Sequence, residues 1–88
     1  MTTLKVKYYK DPGHGWVAVK RNLLQQLNIA DKITSFSYQK GQTVYLEEDC
    51  DAYLFVKEMK NRGVEVIPEH KHSNNTSPIR SYDCYCAA

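Results

Sequence analysis

Residues 46 to 63, LEEDCDAYLFVKEMKNRG, restrict the fold more than any other segment. Ala52, Phe55, Val56 and Met59 recur at i, i+3, i+4 and i+7, the apolar stripe of a helix with one buried face. Asp49 is placed to cap its start, and Glu47, Glu48 and Asp51 put negative charge near the first turn. Lys57, Lys60 and Arg62 put positive charge near the last turn, and Gly63 follows as the residue that leaves the helix. The segments around it have a different period, so the chain must combine helix and sheet.

Leu4, Val6 and Tyr8 alternate with Lys5, Lys7 and Tyr9, the period of two expected of a half-buried strand. Asp11-Pro12-Gly13 is turn chemistry, and Trp16 to Val19 resumes strand composition. The stretch DPGHGW, residues 11 to 16, therefore predicts a hairpin with a loop of about five residues. Asn22 is a candidate cap for a short helix carrying Leu23, Leu24 and Leu27, with Asn28 at its end. Ser35 to Gln39 and Gln42 to Leu46 each alternate, separated by Lys40-Gly41, and predict a second hairpin. Val64 to Pro68 reads as a strand that Pro68 ends or places at a sheet edge.

From Glu69 the chain turns polar, and EHKHSNNTSPIR reads as a loop. Residues 69–88 form a polar loop and C-terminal extension of a single small α+β domain, residues 1–88. Alternation returns in IRSYDCYC. There the face carrying Arg80, Tyr82, Cys84 and Cys86 is the one expected to pack, in a short optional sixth strand. The order ββαββαβ predicts a two-layer α+β sandwich. Its sheet has five to six mainly antiparallel strands, and its two helices lie on one face.

Composition narrows the function classes. The net charge of +2 is distributed unevenly. Residues 1–30 carry Lys5, Lys7, Lys10, Lys20 and Arg21 against Asp11, whereas residues 31–60 lean acidic. That gradient is too mild to indicate a nucleic-acid binder, and too weak for an acidic mimic of one. The three cysteines are an odd set, unlike a secreted disulfide scaffold. The start MTTLKVKYYK has no apolar stretch of the kind that directs secretion, and no segment approaches the roughly 18 apolar residues of a membrane span. The expectation is an intracellular protein with reduced thiols and no membrane partner.

Five constellations could carry chemistry. His70 and His72, with Cys84 and Cys86, read H-x-H and C-x-C. Each pair would share a strand face, and four N/S ligands suit tetrahedral zinc, although the spacings differ from those of familiar structural zinc sites. These four are weak metal candidates, and no cofactor is expected. His14 could serve as a base and Cys50 or Cys84 as a nucleophile. No signature orients them, so the chain is not expected to be an enzyme. The cluster Glu47, Glu48, Asp49 and Asp51 is explained by helix capping.

Gly13 and Gly15 would let loop amides approach an anion, with Trp16 available to stack and Arg80 to meet phosphate. That is the case for a nucleotide ligand. Finally, seven tyrosines are many for a core this small. Tyr9, Tyr53, Tyr82 and Tyr85 exceed what such a core holds, and exposed tyrosine with arginine is the composition of interface anchors, for a partner or a second copy of this chain. The candidate binding residues are thus Gly13, His14, Gly15, Trp16, Arg80, Tyr82 and Tyr85.

DPGHGW, SYQKG, YLEEDCD and IRSYDCY together resemble a group of short uncharacterised proteins encoded by bacteriophages and mobile elements. The likeness spans nearly the whole chain. It implies a location in the bacterial host cytoplasm. It also implies a non-enzymatic accessory role, binding and inhibiting a host protein such as a component of a defence system. It brings no catalytic residues. The alternatives are a nucleotide-binding or sequestering protein, a structural zinc module and a homodimer.

Overall fold

The structure, a computed structural model, describes residues 2–87. Met1 and Ala88, which bound the expected domain, lie outside the described residues. The elements follow the expected order. β1 (Thr2–Lys10) and β2 (Gly15–Lys20) form a hairpin, followed by α1 (Arg21–Gln26) and a 3-10 turn at Ala30–Lys32. β3 (Tyr38–Lys40) and β4 (Thr43–Glu47) form the second hairpin, followed by α2 (Asp51–Asn61), β5 (Val64–His72), a 3-10 turn at Pro78–Ser81 and β6 (Asp83–Cys84).

The six strands make one sheet in the order β5-β1-β2-β4-β3-β6. Four pairings are antiparallel, and β1 with β5 is parallel over nine residue pairs. The sheet is therefore mixed, because α2 intervenes between β4 and β5 and carries the chain back to the β1 edge, where β5 runs alongside it. β5 also runs four residues past Pro68. As an edge strand it tolerates a residue with no N–H to donate, so Glu69–His72 continue the strand rather than begin the loop.

Register places the core. Tyr8 lies across from Val17, Val17 from Leu46, and Val19 from Val44, so these side chains share one face with Leu4 and Val6. Phe55, Met59 and Ala52 of α2, with Leu24, Leu27, Ile29 and Ile33 of α1 and its continuation, close over that face. Val56, expected in the stripe, is 38% exposed. Gly41 and Gly63 take positive φ of 60° and 80°, as turn and helix-leaving residues should, and Asn28 does so at 59°. α1 begins directly after β2 with no side-chain cap, so Asn22 does not serve as one. α2 begins two residues later than Asp49. Glu47 instead accepts the Asp49 and Cys50 amides, at 2.9 and 3.1 Å.

The opposite face of the sheet is half covered by the chain itself. β5 and β6 occupy the two edges, so the segment joining them must cross the sheet. This strap, residues 73–82, buries Ile79 and Ser77 against the back of the sheet. The expected packing of the tail is reversed: Ile79 and Tyr85 are buried, whereas Cys84 and Cys86 are exposed. Tyr85 joins the main core, and its hydroxyl donates to the Ala30 carbonyl. No helix among the described residues is long and apolar enough to cross a membrane.

Candidate functional site

The β1–β2 loop is organised by Asp11, which is fully buried. Its Oδ1 accepts the amides of Gly13 at 3.0 Å and His14 at 2.9 Å, an Asx turn in which the side chain closes the loop. Its Oδ2 accepts the Ser77 amide at 3.0 Å. Arg80 grips both oxygens, with Nε at 2.7 Å and Nη2 at 2.9 Å. The planar fork of arginine matches a carboxylate in this two-point geometry. The Arg80 hydrogen bonds hold the Asp11 carboxyl well below the usual carboxylate range, helped by the Ser77, His14 and Gly13 amides against the opposing effect of burial. One carboxylate thus fastens the hairpin loop to the strap.

Neither glycine of the loop has positive φ. Both lie in close approach to other side chains instead. A Cβ on Gly13 would lie 2.7 Å from Arg80 Nη2. A Cβ on Gly15 would lie 2.6 Å from Glu48 Oε2 and 2.7 Å from the Tyr8 ring and hydroxyl, where Tyr8 donates to Glu48. Burial, and then the Glu48 carboxylate, push the Tyr8 phenol up to about 12.

A second buried carboxylate shapes the neighbouring wall. Asp51, 2% exposed, accepts from the Thr34 amide, the Thr34 hydroxyl at 2.7 Å and the Ser37 hydroxyl. These bonds hold residues 34–37 as a turn in which Ser37 is buried and Phe36 points outward, 72% exposed. β3 consequently starts at Tyr38, not at Ser35 as the alternation of SFSYQ predicts.

Between these two constructions lies an open cavity of about 380 Å³. His14, Trp16 and Arg80 come from the Asp11 side, and Phe36 and Cys50 from the Asp51 side. Tyr38, Glu47 and Asp49 complete the lining. Trp16 is only 2% exposed and forms the floor. Tyr38 meets it nearly edge-on at 6.2 Å, the His14 ring lies 6.2 Å away, and the Arg80 guanidinium sits 5.6 Å from the indole centroid.

Three of the candidate binding residues, His14, Trp16 and Arg80, are therefore brought together from opposite ends of the chain, beside Cys50, the candidate nucleophile. Gly13 backs Arg80, and Gly15 faces the core side of the sheet. Tyr82 lies in a separate cavity with Tyr9 and Tyr45, and Tyr85 is in the core. Phe36, Tyr38, Glu47, Asp49 and Asp11 were not among the candidates. Only Asp11 had a signal, the Asp-Pro-Gly pattern of an Asx turn. Its Arg80 partner, 69 residues away, had none.

Two expectations change. The loop amides of Gly13 and His14 do cradle an anion, but it is the Asp11 carboxylate of the same chain. The four weak metal candidates divide between β5 and the β6 end, at opposite edges of a six-stranded sheet. At about 4.8 Å per strand spacing that is roughly 24 Å, so they cannot share one ion. Among the described residues, no group of three or more His, Cys, Asp or Glu is placed to hold a metal. Comparison of the chain with protein-family models, with curated proteins and with solved structures returns no match.

Proposed function

We propose that this protein is a non-enzymatic binder of a host protein, of the phage accessory kind that the sequence resemblance implies, acting in the bacterial cytoplasm. The partner docks at the cavity floored by Trp16 and walled by Phe36, and a component of a bacterial defence system is the partner class the resemblance favours. The observation that carries this reading is Phe36. An aromatic ring left 72% exposed on a turn anchored by a buried aspartate, at the wall of a cavity, is the type of residue enriched at protein interfaces. The polar groups around it support binding over catalysis. Arg80 is committed to Asp11, and Glu47 holds two backbone amides.

The same commitments weigh against a nucleotide in this cavity. The amides and the guanidinium that would meet phosphate are already occupied, and Glu47 and Asp49 add negative charge. Affinity purification from bacterial cells with the wild-type chain and with Phe36→Ala tests the proposal. One dominant host protein is expected with the former and is lost with the latter, while the circular dichroism spectrum is unchanged. Equal recovery by both chains, or no partner for either, would overturn it. Light scattering of the purified chain separates a host partner from a second copy, and a thermal-shift panel of nucleotides should give no stabilisation.

A further inference from the structure

The face of the sheet turned away from the helices carries a second site, independent of the cavity above. Lys7 lies across from Ala18, and Ala18 from Tyr45; Lys20 lies across from Thr43, and Thr43 from Lys40. Lys5, two residues before Lys7 on β1, and Lys20, two residues after Ala18 on β2, share that face. Four lysines from three strands therefore stand on one exposed surface.

The strap covers only the other half of this face and leaves a groove of about 400 Å³. Lys5, Lys7 and Lys20 line the groove, Ala18 lies across from both Lys7 and Tyr45, and Tyr9 and Tyr45 also line it; none of its lining residues is acidic. The nearest acid in register, Glu69 beside Lys7, is 3.4 Å from Lys71 and paired with it. Tyr9, Tyr45 and Tyr82 form a row, with ring centroids 6.1 and 5.2 Å apart, and Lys40 Nζ lies 4.8 Å from the Tyr82 centroid. Lysines that track along a groove, ending on a row of aromatic rings, combine the two elements that hold single-stranded nucleic acid. The charges meet phosphates and the rings meet bases. An acidic peptide would use the lysines but not the rings. The modest net charge of +2 conceals this patch, because the acids gather around the start of α2.

We propose that the Lys5–Lys7–Lys20 groove and its tyrosine row bind single-stranded nucleic acid. Fluorescence anisotropy of a labelled oligothymidylate of about 12 nucleotides, in about 50 mM salt, tests it. Three phosphate contacts predict an affinity that falls roughly 20-fold when salt is raised about fourfold. Lys5→Glu with Lys20→Glu should weaken binding at least about tenfold, since both contacts are reversed in sign. Tyr9→Leu should weaken it about fivefold or more without changing the affinity for a poly-glutamate peptide of equal charge. Phe36→Ala should leave oligonucleotide binding unchanged, so loss of the host-protein partner and loss of this site are distinguishable. Absence of binding would overturn the proposal. So would binding that survives the double lysine reversal with the fold intact. Equal affinity for duplex DNA or for poly-glutamate would assign the patch to polyanions in general and also overturn it.

Discussion

Asp11 and Asp51 are both carboxylates withdrawn from water, at 0% and 2% exposure, and they are held in opposite ways. Asp11 is held by a charge. Its chief partner is the Arg80 guanidinium, itself 36% exposed, and its remaining partners are amides of the surface loop and the strap. Asp51 is held by neutral donors, the Thr34 amide and the hydroxyls of Thr34 and Ser37. Ser37 passes the connection on, accepting the Glu47 amide on its hydroxyl at 2.9 Å and the Tyr85 amide on its carbonyl at 2.8 Å. One aspartate is a clasp at the rim of the fold. The other is a junction where the 34–37 turn, β4, α2 and the β6 end meet. Each supports one wall of the same cavity, so the site is built by two devices that should fail differently.

The largest effect is expected at the junction. Asp51→Ala leaves one buried donor, the Ser37 hydroxyl, and two half-buried donors of Thr34 without this acceptor, and removes the link between α2 and the Phe36 turn described above. The expected loss is about 3 kcal/mol, since each stranded buried donor costs about 1–3 kcal/mol before relaxation. For a domain of this size that lowers Tm by about 15 °C. A melt within a few degrees of wild type would mean that Asp51 is no junction, and the contrast with Asp11 would collapse.

The clasp should fail locally. Asp11→Asn keeps the shape but offers Arg80 one oxygen in place of two and removes the charge. The strap should then open on its own, because the helix-covered core does not depend on it. Amide exchange at Ser77, Arg80 and Tyr82 is expected to speed up by about 10- to 100-fold while α2 amides keep their rates. Uniform acceleration throughout the sheet would show that the two aspartates act alike.

Titration separates them further. Asp11 has a folded pKa below its unfolded value of about 3.9, so its contribution is fully present above that value. It is lost as pH falls below about 4 toward the depressed folded value. Strap protection in wild type should decline through that window, and Asp11→Asn should flatten the decline. Tyr8 sets the alkaline edge with the opposite sign. Its pKa is raised to about 12 in the folded state, so its contribution is present below about 10 and is lost as pH rises from 10 to 12. Tyr8→Phe should remove that limb of a pH-dependent urea denaturation series.

The difference between the two devices also marks where sequence reading stops. Strand alternation and the dipole-matched charges of α2 are local signals, and they were enough for ββαββαβ and for helices on one face. The parallel β1–β5 pairing, the strap and the Arg80 clasp depend on residues far apart in the chain, and no local period encodes them. SFSYQ misleads for a specific reason: Asp51 draws Ser37 inward and overrides the alternation, sending Phe36 outward. Asp11 was legible as a turn residue but not as a buried ion pair. His14, Trp16 and Arg80 were legible as chemistry-bearing residues, whereas the Phe36 wall beside them was not.

The two glycines of the Asp11 loop give the finest test of the clasp, and the smallest effects. Both have backbones that alanine can adopt, so the substitutions differ only in what the new methyl meets. At Gly15 it meets the Tyr8 ring and the Glu48 carboxylate, which are bonded to each other. A ring in the sheet cannot swing aside, so Gly15→Ala should cost roughly 1 kcal/mol in urea denaturation, at the lower end of overpacking costs. At Gly13 the methyl meets only the end of the Arg80 side chain, which is free to tilt toward solvent. The reduced freedom of the unfolded chain favours alanine by a few tenths of a kcal/mol, so Gly13→Ala should change stability by less than about 0.5 kcal/mol. Its signature lies elsewhere. Tilting Arg80 breaks the two-point grip on Asp11, so strap amides should exchange faster although the melting point is unmoved. If Gly13→Ala leaves strap exchange as slow as in wild type, the bidentate geometry is not what holds the strap, and the Ser77 amide alone must suffice.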